Sequence, residues 1–270
     1  MIPPVVDSSW CQARGDSVVL ADVRWYLDGR SGRAAYESGH LPGALFVDLD
    51  RWLAAQGDPE SGRHPLPAPE VFAEGMAQLG IGDVDPVVAY DDAGGVIAAR
   101  LVWMLRVTGH DAALLDGGLS AYDGPLEQAT PARPRADFTP RPWSADRLAD
   151  IDDAGDPANV VLDARNADRF RGEQEPVDPR PGHVPGARNV PCRTNLDADG
   201  RFLPAEELRR RFQEVGVTGE ASVVSYCGSG VTACHNLLAL ELAGFAPGRL
   251  YPGSWSQYSH VADRPVALGD

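Results

Sequence analysis

The chain has 270 residues, of which 43% are hydrophobic, and this suits one large domain or two domains of about 130 residues each. Its 24 basic and 39 acidic residues give a formal net charge of −15, which argues against nucleic acid or an anionic membrane surface as a partner. Every basic residue is arginine, so a Schiff-base lysine and a lysine-dependent phosphate loop are excluded. No basic, apolar leader opens the chain and no stretch reaches the ~18 apolar residues of a membrane span, so we expect a cytoplasmic protein.

The cysteines do not form a recognisable framework. Their spacing matches neither a zinc site nor a Cys-x-x-Cys motif, and four cysteines in a chain of this length do not make a disulfide scaffold. We therefore predict reduced thiols, no metal and no organic cofactor. The four are Cys11, Cys192, Cys227 and Cys234.

Four segments of the first half recur in the same order in the second half, which indicates a tandem repeat. We predict an N-terminal domain over residues 1–124, a Pro-rich linker over 125–145 and a C-terminal catalytic domain over 146–270. The matching segments are Val18–Arg24 with Val160–Arg165, Gly39–Ala44 with Gly182–Ala187, Val87–Asp91 with Val223–Cys227, and Leu115–Tyr122 with Tyr251–Tyr258.

In each copy, short β-branched apolar runs alternate with longer helical stretches. This pattern predicts an α/β fold in which each domain has a parallel sheet flanked by helices. Ligand sites in such sheets lie at the carboxyl ends of the strands. The predicted strands are Val18–Val23, Ala44–Val47, Val87–Tyr90, Ala113–Leu115, Val160–Leu162, Val223–Tyr226 and Arg249–Tyr251.

The segment between the copies is rich in Pro, Ala and Arg and has no hydrophobic periodicity. We interpret it as an extended linker on the surface. Its arginines (Arg133, Arg135 and Arg141) are more typical of a solvated or domain-bridging feature than of a binding patch.

The most informative residue is Cys227, which follows the buried strand Val223–Tyr226 and begins the sequence Cys-Gly-Ser-Gly-Val-Thr. Glycines in such a loop allow a tight turn, and the helix predicted over Thr232–Ala243 begins directly after it. Backbone N–H groups and a helix N-terminus then face the sulfur and favour the nucleophilic thiolate. In the first copy Asp91 occupies the matching position, so thiol chemistry is predicted for the second copy alone.

These residues together resemble the rhodanese superfamily over nearly the whole chain. The resemblance includes both Gly-His-x-Pro-Gly-Ala motifs, Trp25–Leu27 and Gly253–Ser256. Thiosulfate sulfurtransferases of this architecture typically carry Cys-Arg-Lys-Gly-Val-Thr, whereas 3-mercaptopyruvate sulfurtransferases carry Cys-Gly-Ser-Gly-Val-Thr or close variants. This chain has the second form, and a loop without cations suits a monocarboxylate better than the thiosulfate dianion.

The resemblance also implies roles for individual residues. Cys227 is the expected nucleophile, and a relay of Ser229, His64 and Asp50 is expected beside it. Carried over by motif, the substrate-binding residues are Arg169, Arg180, Gly228, Gly230, Val231 and Thr232. The histidines of the shared motif, His40 and His183, are expected to be structural because they occur in both copies. Cys11, Cys192 and Cys234 are expected to pack, although Cys234 lies where a resolving thiol would be possible.

The implied reaction takes a sulfur atom from a small anionic donor, 3-mercaptopyruvate, to form a Cys227 persulfide. A thiol such as thioredoxin, or cyanide, then accepts the sulfur. The nearest alternative is a thiosulfate:cyanide sulfurtransferase. More distant alternatives are a non-catalytic sulfur carrier and a cysteine phosphatase, which would require a Cys-x5-Arg pattern where this chain has Ala233.

Overall fold

The computed structural model describes all residues, 1–270, and the chain forms two compact units. A short segment of each half of the chain belongs to the unit built mainly by the other half. Unit 1 comprises Met1–Ala55, Pro67–Trp143 and Leu196–Phe202, and unit 2 comprises Gln56–Leu66, Ser144–Asn195 and Leu203–Asp270. We call the segment Gln56–Leu66 the strap.

Unit 1 contains a five-stranded sheet in which every neighbouring pair is parallel, in the order β1-β5-β4-β2-β3. Its strands are β1 Val5–Val6, β2 Val19–Asp22, β3 Leu45–Phe46, β4 Val87–Tyr90 and β5 Ala112–Leu115. Its α-helices are α1 Ser8–Gln12, α2 Gly32–Ser38, α3 Pro69–Gln78 and α4 Ala99–Val107, with a π-helical turn at Leu49–Leu53.

Unit 2 repeats this plan with a four-stranded parallel sheet in the order β7-β6-β8-β9. Its strands are β6 Val160–Asp163, β7 Arg188–Asn189, β8 Val223–Tyr226 and β9 Arg249–Leu250. Its helices are α5 Ile151–Gly155, α6 Ala167–Phe170, α7 Ala205–Glu214, α8 Ala233–Leu242 and α9 Ser254–Tyr258. The predicted α/β fold with parallel sheets is thus confirmed in both units.

The central strands explain why the sheets form here. All four residues of β4 and all four of β8 are buried, as expected for parallel strands that are covered on both faces. The helix that follows β8 is also buried along most of its length, so the cysteine between strand and helix lies at a rigid position. The loop that begins with Cys227 at the carboxyl end of β8 is therefore held between two buried elements.

The matching loop of unit 1 is organised around Asp91, whose side chain is fully buried. Its two carboxylate oxygens accept four backbone hydrogen bonds of 2.8–2.9 Å, from Ala93, Gly95, Ile97 and Ala98. The carboxylate thus fills an anion cradle made by its own loop.

Most of the predicted linker lies along unit 1. Arg133 donates to the carbonyl of Gly80 at 3.0 Å, and Arg141 donates to the carbonyl of Thr108 at 2.6 Å. Arg135 forms a two-pronged ion pair with Glu74 on α3. The arginines therefore attach an extended segment to the domain surface. Among the helices of the protein, none combines the length and the apolar character that a membrane span requires.

Candidate active site

Cys227 is the first residue after β8, and its side chain is only 2% exposed. The backbone N–H of Gly230 donates to the Cys227 sulfur at 3.1 Å, which closes the loop around the thiol. Gly230 has φ +78°, and a Cβ there would lie 2.6 Å from the carbonyl oxygen of Pro252. Both the backbone conformation and the space therefore require glycine at this position.

Helix α9 supports the same loop from its N-terminal turn. The N–H groups of Trp255 and Ser256 donate to the carbonyls of Cys227 and Gly228 at 3.0 and 2.8 Å. The Ser254 hydroxyl accepts from the Cys227 N–H at 3.2 Å and donates to the Tyr251 carbonyl at 2.8 Å. These bonds fix the loop backbone without using the thiol, and they explain the Gly-Ser-Trp-Ser sequence at this point of the second repeat.

The strap brings His64 into unit 2, where the ring lies against the Cys227 loop. His64 Nδ1 is 2.7 Å from Ser229 Oγ, and both side chains are buried. A hydroxyl and an imidazole at this distance can exchange a proton. Two members of the expected relay are therefore in contact beside the cysteine.

Specific backbone contacts hold the strap in place. The N–H of Arg63 donates to the Ser256 hydroxyl at 2.8 Å, and the Gln257 amide donates to the carbonyl of Glu60. At Gly62 the backbone has φ +85°, and a Cβ would lie 2.4 Å from the carbonyl oxygen of Gly253. The strap thus packs directly on the turn before α9.

Asp50 lies in the π-helical turn of unit 1 and is exposed. Its carboxylate accepts from the Trp25 indole N–H, at 3.1 and 3.0 Å to its two oxygens. The neighbouring Asp48 instead accepts from the N–H groups of Asp50 and Arg51 and caps the turn. Asp48 therefore has a local structural role, and the relay role expected for Asp50 stays a prediction.

Two arginines face the loop at Gly228. A Cβ built on Gly228 would lie 3.0 Å from Arg63 Nη2 and 3.5 Å from Arg169 Nη1. Their side chains are 27% and 15% exposed, so both guanidinium groups are partly accessible. The position of Arg169 agrees with the sequence expectation. Arg63 was not expected, although it directly precedes the predicted His64.

The expectation that Arg180 binds substrate is corrected by the structure. Its guanidinium donates to four backbone carbonyls at 2.7–2.9 Å, those of Ser259, Arg264, Tyr258 and Val261. Three of these carbonyls lie at or just beyond the end of α9, where unpaired helix carbonyls need donors. Arg180 is therefore a structural cap, and the arginine that joins Arg169 at the loop is Arg63.

The remaining loop residues lie between Cys227 and helix α8. Val231 is buried and Thr232 precedes α8, while Gly228 leaves room for the two guanidinium groups. All four cysteines are free thiols. Burial raises the pKa of Cys192 to about 12 and that of Cys11 to about 11, so both are protonated near neutral pH. The Cys234 thiol donates to the Gly230 carbonyl at 3.4 Å from within the helix.

The two motif histidines are held identically. His40 Nδ1 is 2.8 Å from the Tyr36 carbonyl, and His183 Nδ1 is 2.8 Å from the Phe170 carbonyl. Each ring stacks on the aromatic side chain of that same residue, at 3.8 and 3.6 Å between centroids. Burial lowers the pKa of His183, which favours its neutral form. These contacts support the expected structural role.

Comparisons with known proteins show which family the chain resembles. The chain is 44% identical over 266 residues to a probable 3-mercaptopyruvate sulfurtransferase of Pseudomonas aeruginosa, covering 94% of this chain and 93% of the relative. It is 40% identical to a putative thiosulfate sulfurtransferase, SseB, of Mycobacterium tuberculosis, covering 94% and 92%. A solved 3-mercaptopyruvate sulfurtransferase of Leishmania major has 32% identity and a TM-score of 0.86, covering 98% of this chain and 76% of that chain. The model of the rhodanese-like domain matches residues 10–124 and again 144–260, and the chain therefore belongs to the rhodanese family.

Proposed function

We propose that the protein is a sulfurtransferase that takes sulfur from 3-mercaptopyruvate onto Cys227 and passes it to a thiol acceptor. The observation that carries this proposal is the position of Ser229. Its hydroxyl lies in the Cys227 loop and is 2.7 Å from the His64 ring, so a proton-transfer pair stands beside a nucleophile. The names of similar proteins support the same assignment.

In the proposed first half-reaction, the Cys227 thiolate attacks the sulfur of 3-mercaptopyruvate. A bond forms between the two sulfur atoms, the carbon–sulfur bond breaks, and its electron pair remains on pyruvate as the enolate. The enolate takes one proton to give pyruvate, and the thiol of the substrate loses one proton as the persulfide anion forms. The Ser229–His64 pair is placed to carry a proton between these two points. Asp50 remains the proposed acid of the relay.

The loop amides are proposed to hold the outer sulfur of the resulting persulfide. Asp91 of unit 1 supports this, because its carboxylate accepts from backbone N–H groups of its own loop. These belong, in chain order, to Ala93, Gly95, Ile97 and Ala98. The positions matching the first three of these in unit 2 are Ser229, Val231 and Ala233. Amides that hold a carboxylate in one repeat would hold a sulfur anion in the other.

The donor is proposed to be bound by its carboxylate. Arg63 and Arg169 both face Gly228, and a guanidinium group binds a carboxylate in a two-pronged manner. The residues from Gly228 to Thr232 include no cation, which favours a monocarboxylate over thiosulfate. Thiosulfate remains the second candidate donor, because a relative with 40% identity is named as a putative thiosulfate sulfurtransferase.

The second half-reaction is proposed to transfer the outer sulfur to a small thiol, to thioredoxin or, in an assay, to cyanide. The free state of all four cysteines supports a reducing compartment such as the cytoplasm. Because the two half-reactions are separate in time, the kinetics are expected to be ping-pong.

The proposal is tested with the Cys227→Ser variant. After treatment with 3-mercaptopyruvate, the wild-type chain should gain the mass of one sulfur atom and release pyruvate, while the variant should do neither. The control is Cys11→Ser, which removes a thiol from unit 1 and should load sulfur like the wild type. Pyruvate release and thiocyanate formation with the two donors in competition decide which donor is preferred. Sulfur loading in Cys227→Ser would refute the assignment of Cys227 as the nucleophile.

A further inference from the structure

Behind the two arginines at the loop lie two buried carboxylates. The side chains of Glu175 and Asp178 are 3% and 2% exposed. Asp178 bridges both arginines, with one oxygen 2.9 Å from Arg63 Nη1 and the other 3.1 Å from Arg169 Nη2. Glu175 forms a two-pronged pair with Arg169, at 2.6 and 3.2 Å. Asp178 is thus the one carboxylate that connects the strap arginine to the arginine of α6.

These contacts decide which nitrogens face the site. The Nε and Nη2 atoms of Arg169 bind Glu175, and Nη1 is the Arg169 nitrogen nearest to a Cβ on Gly228, at 3.5 Å against 3.8 Å for Nη2. In Arg63 the bond to Asp178 uses Nη1, the buried Nε has no protein partner, and Nη2 lies beside Gly228. The Nε/Nη2 edge is the one with which Arg24 and Arg165 of this chain bind carboxylates. Arg63 therefore turns Nη2, and not the Nη1 bound to Asp178, towards the loop.

The cluster also balances its charge without substrate. Its three arginines are matched by three carboxylates, because Arg165 pairs with Asp163 and reaches Glu175 at 3.3 Å. Burial raises the pKa of Asp178, and its two arginine neighbours oppose that rise by favouring the charged form. A monoanion entering such a neutral, partly buried site leaves one excess negative charge, whereas a dianion leaves two at a greater desolvation cost. The cluster is Arg63, Asp163, Arg165, Arg169, Glu175 and Asp178.

We propose that Asp178 is a positioning and specificity-determining residue, which fixes Arg63 and Arg169 at the Cys227 loop and holds the site neutral so that it selects a monocarboxylate donor over thiosulfate. This rests on the proposed sulfurtransferase function. The residue stands nine positions after Arg169, in the segment where the sequence expectation placed a second substrate arginine. A carboxylate there is consistent with Arg63 supplying the second guanidinium from the strap.

The test is the Asp178→Asn variant, which keeps the size of the side chain, removes one negative charge and leaves only one acceptor for two guanidinium groups. We expect the ratio of kcat/KM for 3-mercaptopyruvate to that for thiosulfate to fall by about tenfold or more, the scale of one lost charged hydrogen bond. The loss should lie mainly in KM for 3-mercaptopyruvate, with a matching rise in the inhibition constant of pyruvate. Asp178→Glu, which restores the charge, should recover part of the ratio.

The matched control is Glu173→Gln, the same chemical change five residues away. Glu173 is 55% exposed and pairs with Arg171 on the surface, so its loss should leave the donor ratio unchanged. The inference would be overturned if Asp178→Asn left the ratio of kcat/KM for the two donors unchanged, whether or not the two values themselves fell. If Asp178→Asn does not fold, Arg63→Lys replaces it, and an unchanged KM for 3-mercaptopyruvate overturns the inference there. Wild-type turnover measured beforehand separates these outcomes from a failure of the proposed function, in which neither donor reacts.

Discussion

Ser229 occupies a position in which its backbone and its side chain have separate tasks. In the proposed mechanism its N–H faces the sulfur anion, while its hydroxyl, 2.7 Å from His64 Nδ1, serves the proton. A side-chain substitution at Ser229 therefore removes the proton route and leaves the amide in place. This separation makes the residue a precise probe of the relay.

We predict that Ser229→Ala lowers kcat/KM for 3-mercaptopyruvate by about 10²–10⁴-fold, the usual contribution of a positioned general acid. Thiosulfate releases sulfite and forms no enolate, so transfer from thiosulfate should fall far less. Steady-state kinetics with both donors check this. Equal turnover of 3-mercaptopyruvate in the variant and the wild type would remove the relay but leave the persulfide chemistry intact.

Single residues differ in how far the sequence predicts their roles. Cys227 and Ser229 share one loop because they are two residues apart, whereas His64 meets Ser229 only because tertiary contacts seat the strap in unit 2. The catalytic roles of the three residues stay predictions. Arg180 was assigned wrongly because an arginine beside a motif gives no sign of which carbonyls the folded chain presents to it. Arg63 was missed for the same reason. A long side chain takes its role from tertiary neighbours that its own sequence does not reveal.

At the scale of elements, the matching loops after β4 and β8 enclose different groups. In unit 1 a permanent carboxylate occupies the cradle, and in unit 2 a thiol occupies the start of the same turn. A loop of this form without Asp91 would bury several N–H groups without an acceptor. Asp91 therefore supplies the acceptor that its own loop needs.

We predict that Asp91→Ala lowers the free energy of unfolding of unit 1 by about 3 kcal/mol or more, because four buried amide donors lose their acceptor at once. Urea denaturation followed by a unit 1 tryptophan signal measures the loss. The neighbouring Asp92→Ala is the control, because Asp92 makes an exposed bond to the Tyr26 hydroxyl and should cost little. Equal free energies of unfolding of the two variants would contradict the stabilising role of the four backbone bonds to Asp91.

The four-residue strands were easier to predict than the two-residue strands. The strands Val87–Tyr90 and Val223–Tyr226 match their predictions residue for residue, since each is a run of mainly apolar residues. Of the two-residue strands, Leu45–Phe46 and Arg249–Leu250 lie within predicted strands, whereas Val5–Val6 and Arg188–Asn189 were not predicted. Their existence depends on pairing with Leu114 and Leu115 in one sheet and with Leu162 and Asp163 in the other.

At the scale of the whole chain, the division into units does not follow the sequence repeat. The boundaries predicted from the tandem repeat and its linker place residues 56–66 in the N-terminal domain, yet the strap belongs to unit 2 and brings both Arg63 and His64 with it. No change of composition marks the strap, so the exchange becomes visible only through its tertiary contacts, among them those with Gly253, Ser256 and Gln257. A second repeat cut out at the repeat boundary would therefore lack two residues of the candidate site.

This exchange makes Gly62 a sensitive position, although it lies outside the reacting groups. A Cβ at Gly62 would meet the Gly253 carbonyl at 2.4 Å, and φ +85° is a conformation that side chains rarely adopt, so alanine must displace the strap. We predict that Gly62→Ala lowers kcat/KM for 3-mercaptopyruvate by about 100-fold, since displacement by about 1 Å is enough to misalign Arg63 and His64. The control is Gly186→Ala in the same unit. Gly186 has φ +84°, but a Cβ there would have no atom within 4 Å, so the variant has the same backbone strain without the collision. Equal activities in the two variants would mean that strain alone, and not the seating of the strap, governs the site.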